Sequence, residues 1–176
     1  MATHYSGAMR EVRALDAYIK LTRATETIDA RLAARLARRG LTHGQLGVLE
    51  ALMHLGAMAQ CDLGRKLLRS GGNVTTVVDN LERRKLVRRR RGAEDRRVVM
   101  VELTAPGRRL IERVFPDHAS AIGAAFGALT AQEQEQLGKL CRKLGRGAAE
   151  LAEAEAAARA GDRVRRANQA RGEAGA

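Results

Sequence analysis

The sequence predicts a mainly helical protein with one small β-hairpin. Three observations carry this. Ala and Leu are abundant and there are only two prolines, Pro106 and Pro116, in 176 residues, so little opposes helix formation. Apolar residues recur at three- and four-residue intervals through several long segments. One stretch instead alternates, with Val99, Val101 and Leu103 following an arginine-rich run, and that period of two belongs to a strand.

In chain order, residues 9–38 place Val12, Leu15, Ile19, Thr22, Ile28, Leu32 and Leu36 at near-helical spacing, with Gly40 as the stop. Residues 41–55 form a second helix, N-capped by Thr42, ended by Gly56 and burying Leu46, Leu49, Leu52 and Met53. Residues 57–68 give a short extended entry and about two turns of helix. After the "RSGGN" turn, Val74, Val77, Val78 and Leu81 stand at i, i+3, i+4 and i+7 of a fourth helix. Its opposite side carries Gly72, Thr76, Asp79 and Arg83, with Asn73, Thr75 and Asn80 on the flanks. The hairpin spans Leu86 to Leu103. Thr104 caps the next helix, Pro106 lies in its first turn, and Pro116 is expected to kink or interrupt it. A Thr-x-x-Glu box, Thr130 to Glu133, opens one more long helix. After Gly161 the chain has little apolar content, so residues 161–176 are expected to be a disordered tail.

Charge narrows the function. The net charge is +12, the footprint of a nucleic-acid partner. Nine Lys or Arg lie between Arg83 and Arg97 against only Glu94 and Asp95. Like charges on one hairpin repel, so the arrangement costs stability unless an anion meets it. Two Tyr, two Phe and no Trp leave too few aromatic platforms for single-strand recognition by base stacking. No apolar run approaches the roughly 18 residues of a membrane span, and "MATHYSGAMREV" lacks the pattern of a secretory signal. Cys61 and Cys141 form no disulfide framework, and the four histidines contain no H-x-x-x-H pair. A cytoplasmic protein without metal or cofactor is the expectation.

The order of helices, short strand and hairpin is that of a winged helix-turn-helix domain over 41–104. The amphipathic segments 9–38 and 105–160 then form a helical dimerisation bundle from both ends of the chain. In this arrangement the fourth helix enters the major groove and the arginine hairpin flanks it over the phosphates or the minor groove.

The string "GNVTTVVDNLERRKLVRRRRGAEDRRVVMVELTAPGRRL", with its D-x-R in the wing followed by L-T and a helix, resembles the MarR family of bacterial transcriptional regulators, and "LTHGQLGVLEAL" resembles that family's second helix. The resemblance covers roughly residues 10–155. It implies a homodimer on palindromic double-stranded DNA, usually repressing transcription. The family's recognition-helix contacts fall on Ser70, Asn73, Thr75, Thr76 and Asn80. Its minor-groove arginine falls on Arg97, with Asp95 as orienting partner. Arg88, Arg89, Arg90 and Arg96 join the phosphate-facing set, although residues 88–91 alternate faces on a strand and only two can point to one side. The resemblance also implies a small phenolic or aromatic effector, near Tyr18, Thr22 and His54. The competing class is a non-specific architectural nucleic-acid-binding protein, which charge alone would permit; a neutral polar recognition face beside a wing speaks against it. No phosphate-binding loop, matched nucleophile and base, or paired carboxylates indicate an enzyme.

Overall fold

The computed structural model describes residues 5–67, 71–92, 95 and 97–173, with backbone alone for 71, 72 and 162–173. The element order is α1 (Met9–Ala37), α2 (His43–Leu55), β1 (Met58–Ala59), α3 (Gln60–Lys66), α4 (Gly71–Arg83), β2 (Val87–Arg91), β3 (Val99–Leu103), α5 (Ala105–Ala125) and α6 (Ala131–Glu173).

Turn chemistry sets these boundaries. α1 closes through Leu41 N–H to Leu36 O (3.0 Å) and Gly40 N–H to Ala37 O (2.9 Å). This pair of bonds needs a left-handed residue, and Gly40 supplies it at φ 66°. Thr42 and Gln45 form a reciprocal capping box at the start of α2. The end of α4 repeats the α1 closure: Leu86 N–H reaches Leu81 O at 3.0 Å and Lys85 N–H reaches Glu82 O at 2.8 Å. Here the left-handed residue is Lys85, at φ 56°. A side chain in that region costs roughly 1–2 kcal/mol, more than the entropy a glycine loses on folding. Lys85→Gly should therefore stabilise the fold by about 0.5–1 kcal/mol, raising the thermal midpoint by about 2 °C. A lower midpoint in a melting experiment would show that the lysine makes up for its own strain.

The core is built from both helix and hairpin. Leu49, Leu63, Val78, Leu81, Val101 and Ile111 are fully buried, so α2, α3, α4, α5 and β3 meet in one apolar cluster. The alternation predicted for the hairpin seats Val87 and Val101 inward. The strands form an antiparallel sheet in the order β1-β3-β2, with Met58 opposite Val101 and Arg88 opposite Glu102. The two-residue β1 thus covers the β3 edge that a lone hairpin would leave open.

Two expectations need correction. α5 runs through Pro116 as one helix. Proline removes the bond to the Glu112 carbonyl, but both residues are exposed, so water can solvate that oxygen. Residues 161–173, expected to be disordered, continue α6 as helix to Glu173. Ala- and Arg-rich composition gives them helix propensity although they lack an apolar face. The chain divides into a unit of residues 1–125, which holds α1, α5 and the winged elements, and a unit of 126–176, which holds α6.

Candidate nucleic-acid interface

α4 and the β2–β3 hairpin carry the predicted site. The apolar stripe of α4 is seated as its spacing requires: Val74, Val78 and Leu81 are buried and Val77 half-buried. Asn73, Thr75, Thr76 and Asp79 are left exposed. Asn80 is half-buried and its Oδ1 accepts from the Arg83 guanidinium, so it sits against its own helix. Ser70 and Arg96 lie outside the described residues.

The arginines of β2 divide by face. Arg88 and Arg90 share one carboxylate on β3, with Arg88 Nε 2.6 Å from Glu102 Oε1 and Arg90 Nε 3.2 Å from Oε2. The hydrogen bond from Arg88, seconded by Arg90, holds the Glu102 carboxyl below its ordinary pKa. Two cations over one anion leave a net positive, largely exposed edge.

Arg89 faces the other way. Its guanidinium lies 2.6 Å from Asp79 and 2.6 Å from Glu82 of α4. Its backbone N–H donates to Glu82 Oε1 at 2.9 Å, and its Nε donates to Gln60 Oε1 at 2.9 Å. Burial works against the Arg89 charge, but the bonds to Asp79 and Glu82 outweigh it and raise the pKa above the ordinary arginine value. Only 23 % of the Arg89 side chain is exposed, and the fork clamps the wing to α4. Strand alternation said that some of the four arginines must point inward; what it could not supply was the acidic pair waiting there. Arg84 is engaged as well, donating to Gly40 O at 2.7 Å in the turn between α1 and α2.

At the wing tip, Asp95 Oδ1 accepts from the backbone N–H of Arg97 at 2.8 Å. Gly92 N–H to Val98 O (2.9 Å) and Val98 N–H to Asp95 O (3.1 Å) complete the turn. Asp95 therefore shapes the backbone that presents Arg97, whose side chain is exposed.

The effector residues are less closely grouped. Tyr18 is 65 % exposed on α1 and Thr22 half-buried on the same helix. His54, at the end of α2, meets Phe115 edge to face at 5.4 Å. A cavity of about 160 Å³ lies between α1 and α5, lined by Arg35, Leu36, Arg38, Arg39, Val114, Asp117 and His118, and contains none of the three. Burial foremost, with His43 beside it, lowers the His118 pKa. Among the described residues no group of His, Cys, Asp or Glu is placed to hold a metal ion, and no helix is long and apolar enough to cross a membrane.

The MarR family model matches residues 41–99, the stretch from the start of α2 to the start of β3. The chain is 32 % identical over 133 residues to the HTH-type transcriptional regulator MhqR of Bacillus subtilis, covering 76 % of this chain and 92 % of that relative. Among solved structures it is similar to Bordetella bronchiseptica BpsR, whose DNA binding is regulated by 6-hydroxynicotinic acid: TM-score 0.68, 30 % identity, 73 % of this chain and 98 % of that one. It is also similar to Staphylococcus aureus MepR in its DNA complex: TM-score 0.66, 26 % identity, 72 % of this chain and 95 % of that one.

Proposed function

The chain belongs to the MarR family of winged helix-turn-helix regulators, which bind DNA and are not enzymes, and on that premise we propose that it is a homodimeric repressor of a palindromic operator, released by a small phenolic or aromatic effector. One observation carries the reading of DNA sequence. A recognition helix with short neutral polar side chains outward is clamped beside a wing whose outer edge is net positive. The first feature suits base edges and the second suits phosphates. Asn73, Thr75 and Thr76 are the base-reading candidates; Arg88, Arg90 and Arg96 meet the backbone and Arg97 the minor groove.

Dimerisation is supported by apolar surface in search of cover. On α6, Leu140, Leu144 and Leu151 are exposed and Leu137 half-buried. Their spacings of three, four and seven residues trace a heptad seam, completed by Gly147 and Ala154. Tyr18, Leu21 and Met9 on α1 are exposed too. A second copy of the chain would cover these faces, and a two-fold dimer matches a palindrome. The effector reading rests on the similarity to BpsR and on the aromatic and polar groups Tyr18, Thr22 and His54.

Selection from random duplexes, followed by titration of the best site against a scrambled duplex at matched salt, tests the proposal. A palindrome preferred by about a thousandfold is expected; equal affinities would leave only an architectural binder. Arg97→Ala should weaken the selected site by more than about tenfold with an unchanged melting temperature, since the turn is held by its backbone N–H and not its side chain. Undiminished affinity would remove Arg97 from the interface.

A further inference from the structure

The apolar seam of α6 does not say which way its partner runs, but the charges beside it do. Leu137, Leu144 and Leu151 take heptad position a, and Leu140, Gly147 and Ala154 take position d. Position g, just before each a, then holds Gln136, Lys143 and Glu150, and position e, just after each d, holds Cys141, Ala148 and Glu155. Lys143 and Glu150 are both exposed. Among the described residues Lys139 pairs with Glu135 at 2.7 Å and Arg159 with Glu155 at 3.3 Å, whereas Lys143 and Glu150 pair with nothing in their own chain. Charge is also segregated along the helix. Lys139, Arg142, Lys143 and Arg146 precede Gly147, and Glu150, Glu153 and Glu155 follow it. Like charges three and four residues apart repel within a helix.

Two copies of one helix can pair in parallel or antiparallel, and the charges flanking the seam decide between them. In a parallel pair each g meets the e of the next heptad, so Glu150 would face the partner's Glu155, once on each side. In an antiparallel pair a faces d and g faces g. One antiparallel register sets Lys143 beside the partner's Glu150, and the two-fold axis makes that pair twice. Sliding the partner by one heptad, about 10 Å, sets Lys143 against Lys143 in one direction and Glu150 against Glu150 in the other. The seam fits the first register as well. Leu140 faces the partner's Leu151, Leu144 faces the partner's Gly147 and Leu137 faces the partner's Ala154, so small residues make room for leucines.

Resting on the reading of the chain as a homodimer, we infer that α6 pairs with α6 of a second copy as an antiparallel two-stranded zipper, held in register by reciprocal Lys143–Glu150 ion pairs, with the two-fold axis between Leu144 and Gly147. The leucines supply the cohesion. The unpaired lysine and glutamate supply the direction and the register, because every other arrangement sets like charges together.

Cross-linking and charge exchange test this in the full-length chain. Lys143→Cys and Glu150→Cys are placed in a background of Cys61→Ala and Cys141→Ala, which removes the two exposed cysteines. Each is oxidised alone and after the two have been produced together, and the parent chain is sedimented beside them. The joint sample should yield at least about ten times more disulfide-linked dimer than either variant alone, since only there do two thiols come within bridging distance. Separately, Lys143→Glu and Glu150→Lys should each weaken self-association about tenfold, and an equal mixture of the two should return to within about twofold of the parent. Efficient linking of Lys143→Cys or Glu150→Cys to itself would place the helices in another register and overturn the zipper. A parent dimer with no link in any sample, or an equal mixture as weak as its components, would mean that other surfaces cover the seam; the zipper is then wrong and the homodimer reading stands. A monomeric parent chain would end both.

Discussion

Gly107→Ala is expected to destabilise the protein by about 3 kcal/mol or more. Gly107 is buried in the first turn of α5, and a Cβ there would lie 1.8 Å from the Leu86 carbonyl oxygen. That oxygen cannot move away freely. It accepts the Thr104 N–H at 3.1 Å, while the Thr104 hydroxyl is shared between Lys85 O at 2.7 Å and Leu86 O at 3.0 Å. Gly107 N–H in turn donates to the same Thr104 oxygen at 3.1 Å. One threonine thus ties the end of α4, the start of β2 and the cap of α5, and the glycine lets the three backbones meet. The thermal midpoint should fall by about 10 °C. Gly123→Ala is the matched control: nothing lies within 4 Å of a Cβ at that position of α5. It should stabilise by up to about 1 kcal/mol through helix propensity alone. Equal midpoints for the two variants would show that the α5 cap yields at little cost.

Arg89→Ala is expected to reduce operator affinity roughly a hundredfold while costing only about 1 kcal/mol of stability. The stability effect is small because Asp79 and Glu82 are 50 % and 38 % exposed, so water screens the lost pairs. The binding effect is large because two carboxylates on α4 would face phosphates without their counter-charge, and the wing would lose its tie to α4. Arg89→Lys should recover only part of the affinity, since a lysine cannot hold both acids and Gln60 in one planar fork. The deciding measurement adds Asp79→Asn and Glu82→Gln to Arg89→Ala. If Arg89 neutralises those acids, much of the loss is regained in a titration at fixed salt. A loss that persists, with a salt slope lowered by about one, would make Arg89 a direct phosphate contact after all.

The contrast between these two positions shows how much the sequence could reveal. Local rules found most elements. Thr42 and Thr104 declare helix starts, and Gly40 and Gly56 declare ends, because caps and left-handed turns are settled by residues close in the chain. The Val74, Val77, Val78 and Leu81 stripe declared the buried side of α4, and with it the outward Asn73, Thr75 and Thr76. Other features were hidden for stated reasons. Pro116 reads as a break, yet an exposed carbonyl can be solvated and the helix continues. Lys85 gives no sign of its left-handed backbone, because only the α4 closure demands it.

The sequence by itself determined the helical class, the winged order and the density of positive charge on one hairpin, all from periodicity and composition along the chain. Only the tertiary structure decided what each charge does. Arg88 and Arg89 are adjacent and chemically identical, but strand alternation sends one toward Glu102 and solvent and the other toward Asp79, Glu82 and Gln60. Those partners come from three separate elements, and no spacing rule along a chain encodes a distance between them. A charge's role depends on which opposite charges packing brings within reach, and packing is a property of the whole core.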